Sequence, residues 1–324
     1  KLRYMDYELA SRELVRALRG RRSQTATRRR LRRSSNVLHA WETGTRYPSA
    51  SDFLELLRLS GQAPQPLLSR FAPCRGSSTH ALLGSWLNAL ARDRPHAELA
   101  RSLGVNRNTV ARWLAGTTEP RLPQLLAFLD VTTQRALDFV AQVAPPERLP
   151  SVAPAYRDLQ EQRGLAYRMP WTHAVLRALE LTQYRALPRH QPGFIAACTG
   201  VTLEQEEQCL AALLRAKQIQ RKRGRYQVAR VLAVDTQQDP AGNLTLKQHW
   251  FQAAAAEVTQ HGVPADGLAS YNLFAISDAD LGRIRQAHLD YYERLRAIVA
   301  ESQQPTRVVL ATIGLVPLGP APRH

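Results

Sequence analysis

The sequence predicts a mainly α protein: two tandem helix-turn-helix bundles, a winged-helix-like domain and a small α/β C-terminal domain. Three observations carry this. Core-type residues recur at an offset of 72 positions in the first half, a Pro-rich break follows at Pro145–Pro150, and isolated helices and alternating apolar runs come after it. The expected boundaries are residues 1–72 for a divergent, Arg-rich first copy and 79–144 for the second. Residues 151–230 are assigned to the winged-helix-like domain, and 231–324 to the α/β domain, for dimerisation or sensing.

Of 324 residues, 44% are hydrophobic, enough for packed cores and too many for wholesale disorder. Lys and Arg number 44 against 27 Asp and Glu, and residues 1–150 hold 24 basic and 12 acidic side chains. A basic field gathered in one half points to a polyanion, nucleic acid before an anionic membrane. No apolar run approaches the ~18–20 residues that span a bilayer, and no secretory signal is visible, so a cytoplasmic, nucleoid-associated protein is expected. Cys74, Cys198 and Cys209 lack CxxC or Cys/His metal spacing and read as reduced thiols; no metal or cofactor is expected.

The repeat aligns Leu14, Leu18, Leu31, Leu38, Trp41, Gly44 and Pro48 with Trp86, Leu90, Leu103, Val110, Trp113, Gly116 and Pro120. Phe53, Leu54, Leu56 and Leu57 fall on Leu125, Leu126, Phe128 and Leu129, and Pro/Gly/Ser chemistry between positions 63 and 78 reads as a linker. In the second copy, Leu99 and Leu103 with Ala100 make a short amphipathic helix. Gly104 supplies the left-handed helix end, Asn106 is an N-cap, and Arg107 to Leu114 forms a second helix burying Val110, Trp113 and Leu114. A helix fits the major groove, where its first turn must carry donors and acceptors for base edges; Asn, Arg, Asn and Thr do so.

The segment HAELARSLGVNRNTVARWLAGTTEP resembles the lambda-repressor/Cro (XRE) family of helix-turn-helix domains, in its Leu-Ala pair, Gly-Val turn and Gly…Pro exit. The resemblance covers roughly residues 80–143 and implies a bundle of about five helices with recognition by the third. It places Asn106, Arg107, Asn108, Thr109 and Arg112 on bases, and His96 and the backbone and side chain near Thr117 on phosphate.

The first copy, SQTATRRRLRRSSNVLHAWETGTRYPS, resembles the same family in register, with Gln24 at the usual Gln position, Ser34 as cap and Ser35, Asn36, Val37 and His39 on the recognition face. Ser35, Asn36 and His39 are the candidate base contacts. Arg28 stands where the family has a small Ala, and Arg32 and Arg33 replace the turn Gly and its apolar neighbour. Either the turn is remodelled or this copy grips phosphates, for which Gln24, Arg28, Arg29, Arg30, Arg32, Arg33 and Arg46 are the candidates.

Beyond the Pro-rich boundary, helices are expected from Trp171 to Leu181, from Pro192 to Thr199 and from an N-cap at Thr202, the last with an apolar stripe of Leu203, Leu210, Leu213 and Leu214. Two short strands around Gly224 complete a winged-helix layout whose basic tip, Arg221, Lys222, Arg223 and Arg225, suits phosphate. Glu204, Glu206 and Glu207 at the start of the third helix would repel DNA, which favours a structural or dimer-forming role over base reading. Further on, a helix is expected over Leu244–Gln260, a strand over Ala269–Ile276, a helix capped at Ser277-Asp278, and a strand over Arg307–Leu318. With its ending ISDADLGRIRQAHLDYYERLRAIVAESQQPTRVVLATIGLVPLG, the half from about Pro150 resembles the C-terminal region of an uncharacterised family of bacterial transcriptional regulators.

No GxGxxG, P-loop, HExxH or GxSxG occurs. His249, His261 and His288, with Asp235, Asp266 and Asp290, make no catalytic frame, so no enzyme is expected. The expectation is a sequence-specific DNA-binding transcriptional regulator, a repressor by resemblance. It would be a homodimer through its C-terminal half, with an unidentified small-molecule or protein effector. Two alternatives stay open: a sequence-indifferent DNA organiser, and an antitoxin or defence-type repressor whose last domain binds a protein.

Overall fold

A computed structural model describes residues 5–33, 36–92, 94–229 and 239–318. These are mainly helical and fall into two compact units, divided between Glu161 and Gln162.

The first unit holds α1 (Tyr7–Arg19), α2 (Gln24–Arg30), α3 (Val37–Thr43), α4 (Ala50–Leu59) and α5 (Pro64–Ser69). The same series returns as α6 (Thr79–Ala91), α7 (His96–Leu103), α8 (Arg107–Leu114), α9 (Leu122–Thr133) and α10 (Ala136–Val143). The aligned core positions are buried in both copies, from Leu14 and Trp86 to Leu57 and Leu129; only Leu31 and Leu103 are partly exposed. All belong to one apolar cluster reaching from Met5 to Leu159, so the copies share a core. The stretch read as a linker is packed into it: Leu67, Leu68 and Cys74 are buried, and Trp86 Nε1 donates to the Leu68 carbonyl at 3.0 Å. The Pro-rich stretch is packed as well. A 3-10 turn at Pro146–Arg148 leaves Leu149 and Val152 fully buried, and the Ser151 amide and hydroxyl donate to the buried Glu13 carboxylate.

α11 (Ala153–Arg168) carries the division between the units. In the second unit, α12 (Thr172–Ala178), α13 (Thr182–Ala186), α14 (Phe194–Thr199) and α15 (Leu203–Arg215) precede an antiparallel hairpin of β1 (Ile219–Lys222) and β2 (Arg225–Val228). α12, α14 and α15 pack on one another and β1 packs on α15, around a core of Val175, Leu176, Tyr184, Ile195, Leu213 and Ile219. Thr202 caps α15 as expected, in a capping box with Gln205. The α15 stripe differs from expectation: Glu206, Cys209, Leu210 and Leu213 are buried, whereas Leu203 and Leu214 are 49% and 42% exposed. Leu203 is the first helical residue and Leu214 lies one position beyond the inward Leu213, so the core-facing arc passes both by.

Two long helices follow, α16 (Pro240–His261) and α17 (Asp278–Glu301), the latter capped by Ser277, whose hydroxyl accepts from the Asp280 amide at 3.2 Å. The strands expected over 269–276 and 307–318 do not form, which corrects the small α/β domain: β1 and β2 are the strands among the described residues. Alternation selects a face, but a strand also needs a neighbour for its backbone groups. Here the second segment turns to α13 instead. The Pro305 carbonyl accepts from the Thr182 amide at 2.8 Å, the Thr306 carbonyl from Gln183 Nε2 at 3.2 Å, and Val308 packs on the second core.

Candidate nucleic-acid interface

The second copy places its predicted residues together. α7 ends at Gly104, in the left-handed region at φ 69°, and the Val105 amide reaches back to the Ala100 carbonyl at 3.0 Å. Asn106 then caps α8, its Oδ1 accepting from the Asn108 amide at 2.8 Å. Val110 and Trp113 anchor α8 in the core, which turns Asn106, Arg107, Asn108 and Arg112 to the exposed side, with Thr109 half-buried beside them. This exposed edge of the helix start presents two guanidiniums and two carboxamides, one oxygen already committed to the cap. His96, the first residue of α7, is exposed. Thr117 is exposed but engaged: its hydroxyl donates to the Arg112 carbonyl at 3.2 Å, and the Thr117 and Thr118 amides donate to the same oxygen. Those amides therefore close the end of α8 and are not available to phosphate.

The first copy repeats the turn without its glycine. The Arg33 amide donates to the Arg28 carbonyl at 3.2 Å, the counterpart of Val105 to Ala100, and Arg32 takes the left-handed conformation of Gly104 with φ 54°. The turn is thus kept rather than remodelled. Arg29, Arg30, Arg32 and Arg46 are exposed. Others of the predicted phosphate set are engaged within the chain. Gln24 Nε2 donates to the buried Glu42 at 2.8 Å, Arg28 Nη1 donates to the Arg33 carbonyl at 3.2 Å, and Arg33 pairs with Asp52. Asn36 and His39 are exposed; Asn36 makes no side-chain cap, and α3 starts only at Val37. Ser34 and Ser35 lie outside the described residues, as does Asp235.

At the hairpin tip, Arg223 and Gly224 have φ of 51° and 74°, the paired left-handed residues of a type I′ turn. Arg221, Lys222 and Arg223 are exposed there and Arg225 is half-buried. One α15 carboxylate expected to oppose DNA is turned inward: Glu206 is fully buried and accepts from the Ala196 and Gly193 amides at 2.7 and 3.2 Å. Burial lowers the pKa of neighbouring His190, with Glu206 acting against that and Arg221 with it. Glu204 and Glu207 remain exposed.

The sequence reading missed the seam between the copies. The Ala50 amide donates to the Pro120 carbonyl at 3.0 Å and the Leu122 amide to the Pro48 carbonyl at 2.9 Å, about a bridge between Ser49 and Arg121. Glu119 reinforces it, accepting from the Ser51 amide and hydroxyl at 3.1 and 2.6 Å. The aligned prolines marked both edges, but only tertiary structure pairs them.

Among the described residues no cluster of His, Cys, Asp or Glu could hold a metal, and no helix is long and apolar enough to cross a membrane. A family model, Domain of unknown function (DUF4423), matches residues 154–318. No curated protein and no solved structure matches the chain.

Proposed function

We propose, for a chain that belongs to the DUF4423 family, that it is a sequence-specific DNA-binding transcriptional regulator with tandem helix-turn-helix bundles. The carrying observation is the start of α8. A capped helix held by Val110 and Trp113 turns Asn106, Arg107, Asn108 and Arg112 outward together. In this reading α8 enters the major groove, where Arg pairs with guanine and Asn with adenine. The exposed Arg29, Arg30, Arg32 and Arg46 of the first copy, with the hairpin tip, supply charge for phosphates. The winged-helix-like unit and the long helices act as a homodimer interface. The exposed Tyr271, Leu273, Phe274 and Ile298 support that role, because large apolar side chains left in water favour association.

Gel-shift titration against specific and random duplexes at two salt concentrations tests the division of labour. Arg107→Ala is expected to weaken specific binding by about 1–3 kcal/mol, while Arg30→Ala weakens all sequences alike and flattens the salt slope. Equal losses for both variants on both duplexes would reject it. A sequence-indifferent DNA organiser is the second reading, favoured by the exposed Arg29 and Arg30; random duplexes bound as tightly as any selected one would establish it.

A further inference from the structure

The seam has a symmetry that a mere repeat does not require. Exchanging the copies by the 72-residue offset turns the Ala50–Pro120 hydrogen bond into the Leu122–Pro48 bond, and returns the Ser49–Arg121 bridge to itself. The same exchange turns the packing of α1 on α9 into that of α6 on α4, and of α1 on α10 into that of α6 on α5. Contacts that reproduce themselves on exchange are isologous, the pattern of a two-fold dimer; a head-to-tail array leaves unlike surfaces facing each other.

We infer that residues 5–159 form a covalent pseudo-dimer that reads one duplex site of two unlike half-sites, α8 over one half and α2–α3 over the other. The inference rests on the DNA-binding reading above. Chain reach limits the spacing. Gly44 to Ser49 and Gly116 to Arg121 can each span at most about 18 Å, and bridged residues lie about 5 Å apart, so Gly44 and Gly116, just past the ends of α3 and α8, are within about 40 Å. Half-sites on adjacent turns of DNA lie about 34 Å apart, inside that reach. The halves are unlike because the side chains are. The α8 start offers Asn106, Arg107, Asn108 and Arg112, whereas the first copy exposes Asn36 and His39 together with the cationic Arg29 and Arg30.

The test uses the full chain. A site is selected from random duplexes, and its two halves are then offered together and as a short duplex that ends after the α8 half and so carries no phosphates for the first copy. Arg107→Ala is expected to relax base preference in one half only. Arg29→Ala/Arg30→Ala is expected to lose tenfold or more in affinity for the full site, yet to match wild type within about twofold on the isolated α8 half. These three side chains are exposed, so the variants leave the core intact, and circular dichroism verifies it. Two adjacent half-sites both relaxed by Arg107→Ala would overturn the inference, because α8 would then serve both of them from two chains. Equal losses for the double Arg variant on full and half sites would overturn it too. If no sequence is enriched at all, it is the DNA-reading proposal that fails.

Discussion

Arg32 holds a left-handed backbone in the position occupied by Gly104 in the second copy. A side chain there costs roughly 1–2 kcal/mol, which glycine avoids at the expense of greater freedom in the unfolded chain. Arg32→Gly is therefore expected to raise stability by about 0.5–1 kcal/mol in urea unfolding, and Gly104→Arg to lower it by a similar amount. An added Cβ at Gly104 would meet nothing within 4 Å, so its effect is conformational alone. The strained cation is retained where Arg29, Arg30 and Arg32 stand exposed together, which is where the proposed phosphate contacts need charge. Glu206 shows the reverse economy, a carboxylate spent on structure. Glu206→Ala would leave the half-buried Ala196 and Gly193 amides without their acceptor and is expected to cost about 1–3 kcal/mol, read as faster hydrogen exchange across α14.

At the scale of elements, α4 and α9 begin at the seam, and Glu119 couples them by holding Ser51 across it. Burial pushes the Glu119 carboxyl up, but the hydrogen bonds from Ser51, Ser49 and His80 outweigh that and hold it below its ordinary 4.5. A carboxyl depressed by folding stabilises the fold fully above 4.5, and that contribution disappears as pH falls through the lower folded value. Wild type is thus expected to be more stable than Glu119→Gln near neutrality, with the difference vanishing below the folded value. Urea midpoints from about pH 6 down to about pH 3 would reveal it; a constant difference would show that the charge is irrelevant to the seam. α7 was legible to the residue because Leu99, Ala100 and Gly104 encode face and stop locally. The inward turn of Glu206 was not, since its partners lie on α14.

At the scale of the molecule, the first unit closes one core around both copies, while the far end of the second unit leaves large apolar side chains in water. Leu268 is fully exposed, and Tyr271 and Val309 are 88% and 80% exposed. If these residues pair two chains, Leu273→Asp/Ile298→Asp is expected to shift sedimentation from dimer to monomer. It would leave the α8 base preference unchanged, because the altered residues lie in the second unit. A wild-type chain that sediments as a monomer at every concentration would remove the homodimer from the proposal.

The sequence by itself determined what is local or periodic: the 72-residue repeat, the glycine and proline punctuation, the caps at Asn106, Thr202 and Ser277, the hairpin around Gly224 and the polar start of α8. Tertiary structure alone decided what depends on a distant partner. It gave the two copies one core, bonded Pro48 and Pro120 across the seam, drew Gln24 and Arg33 to Glu42 and Asp52, and withheld strand neighbours from 269–276 and 307–318. The reason is physical. Periodicity records which face of an element avoids water, but several surfaces can cover that face equally well, and a backbone group's partner is fixed only when the whole chain has closed.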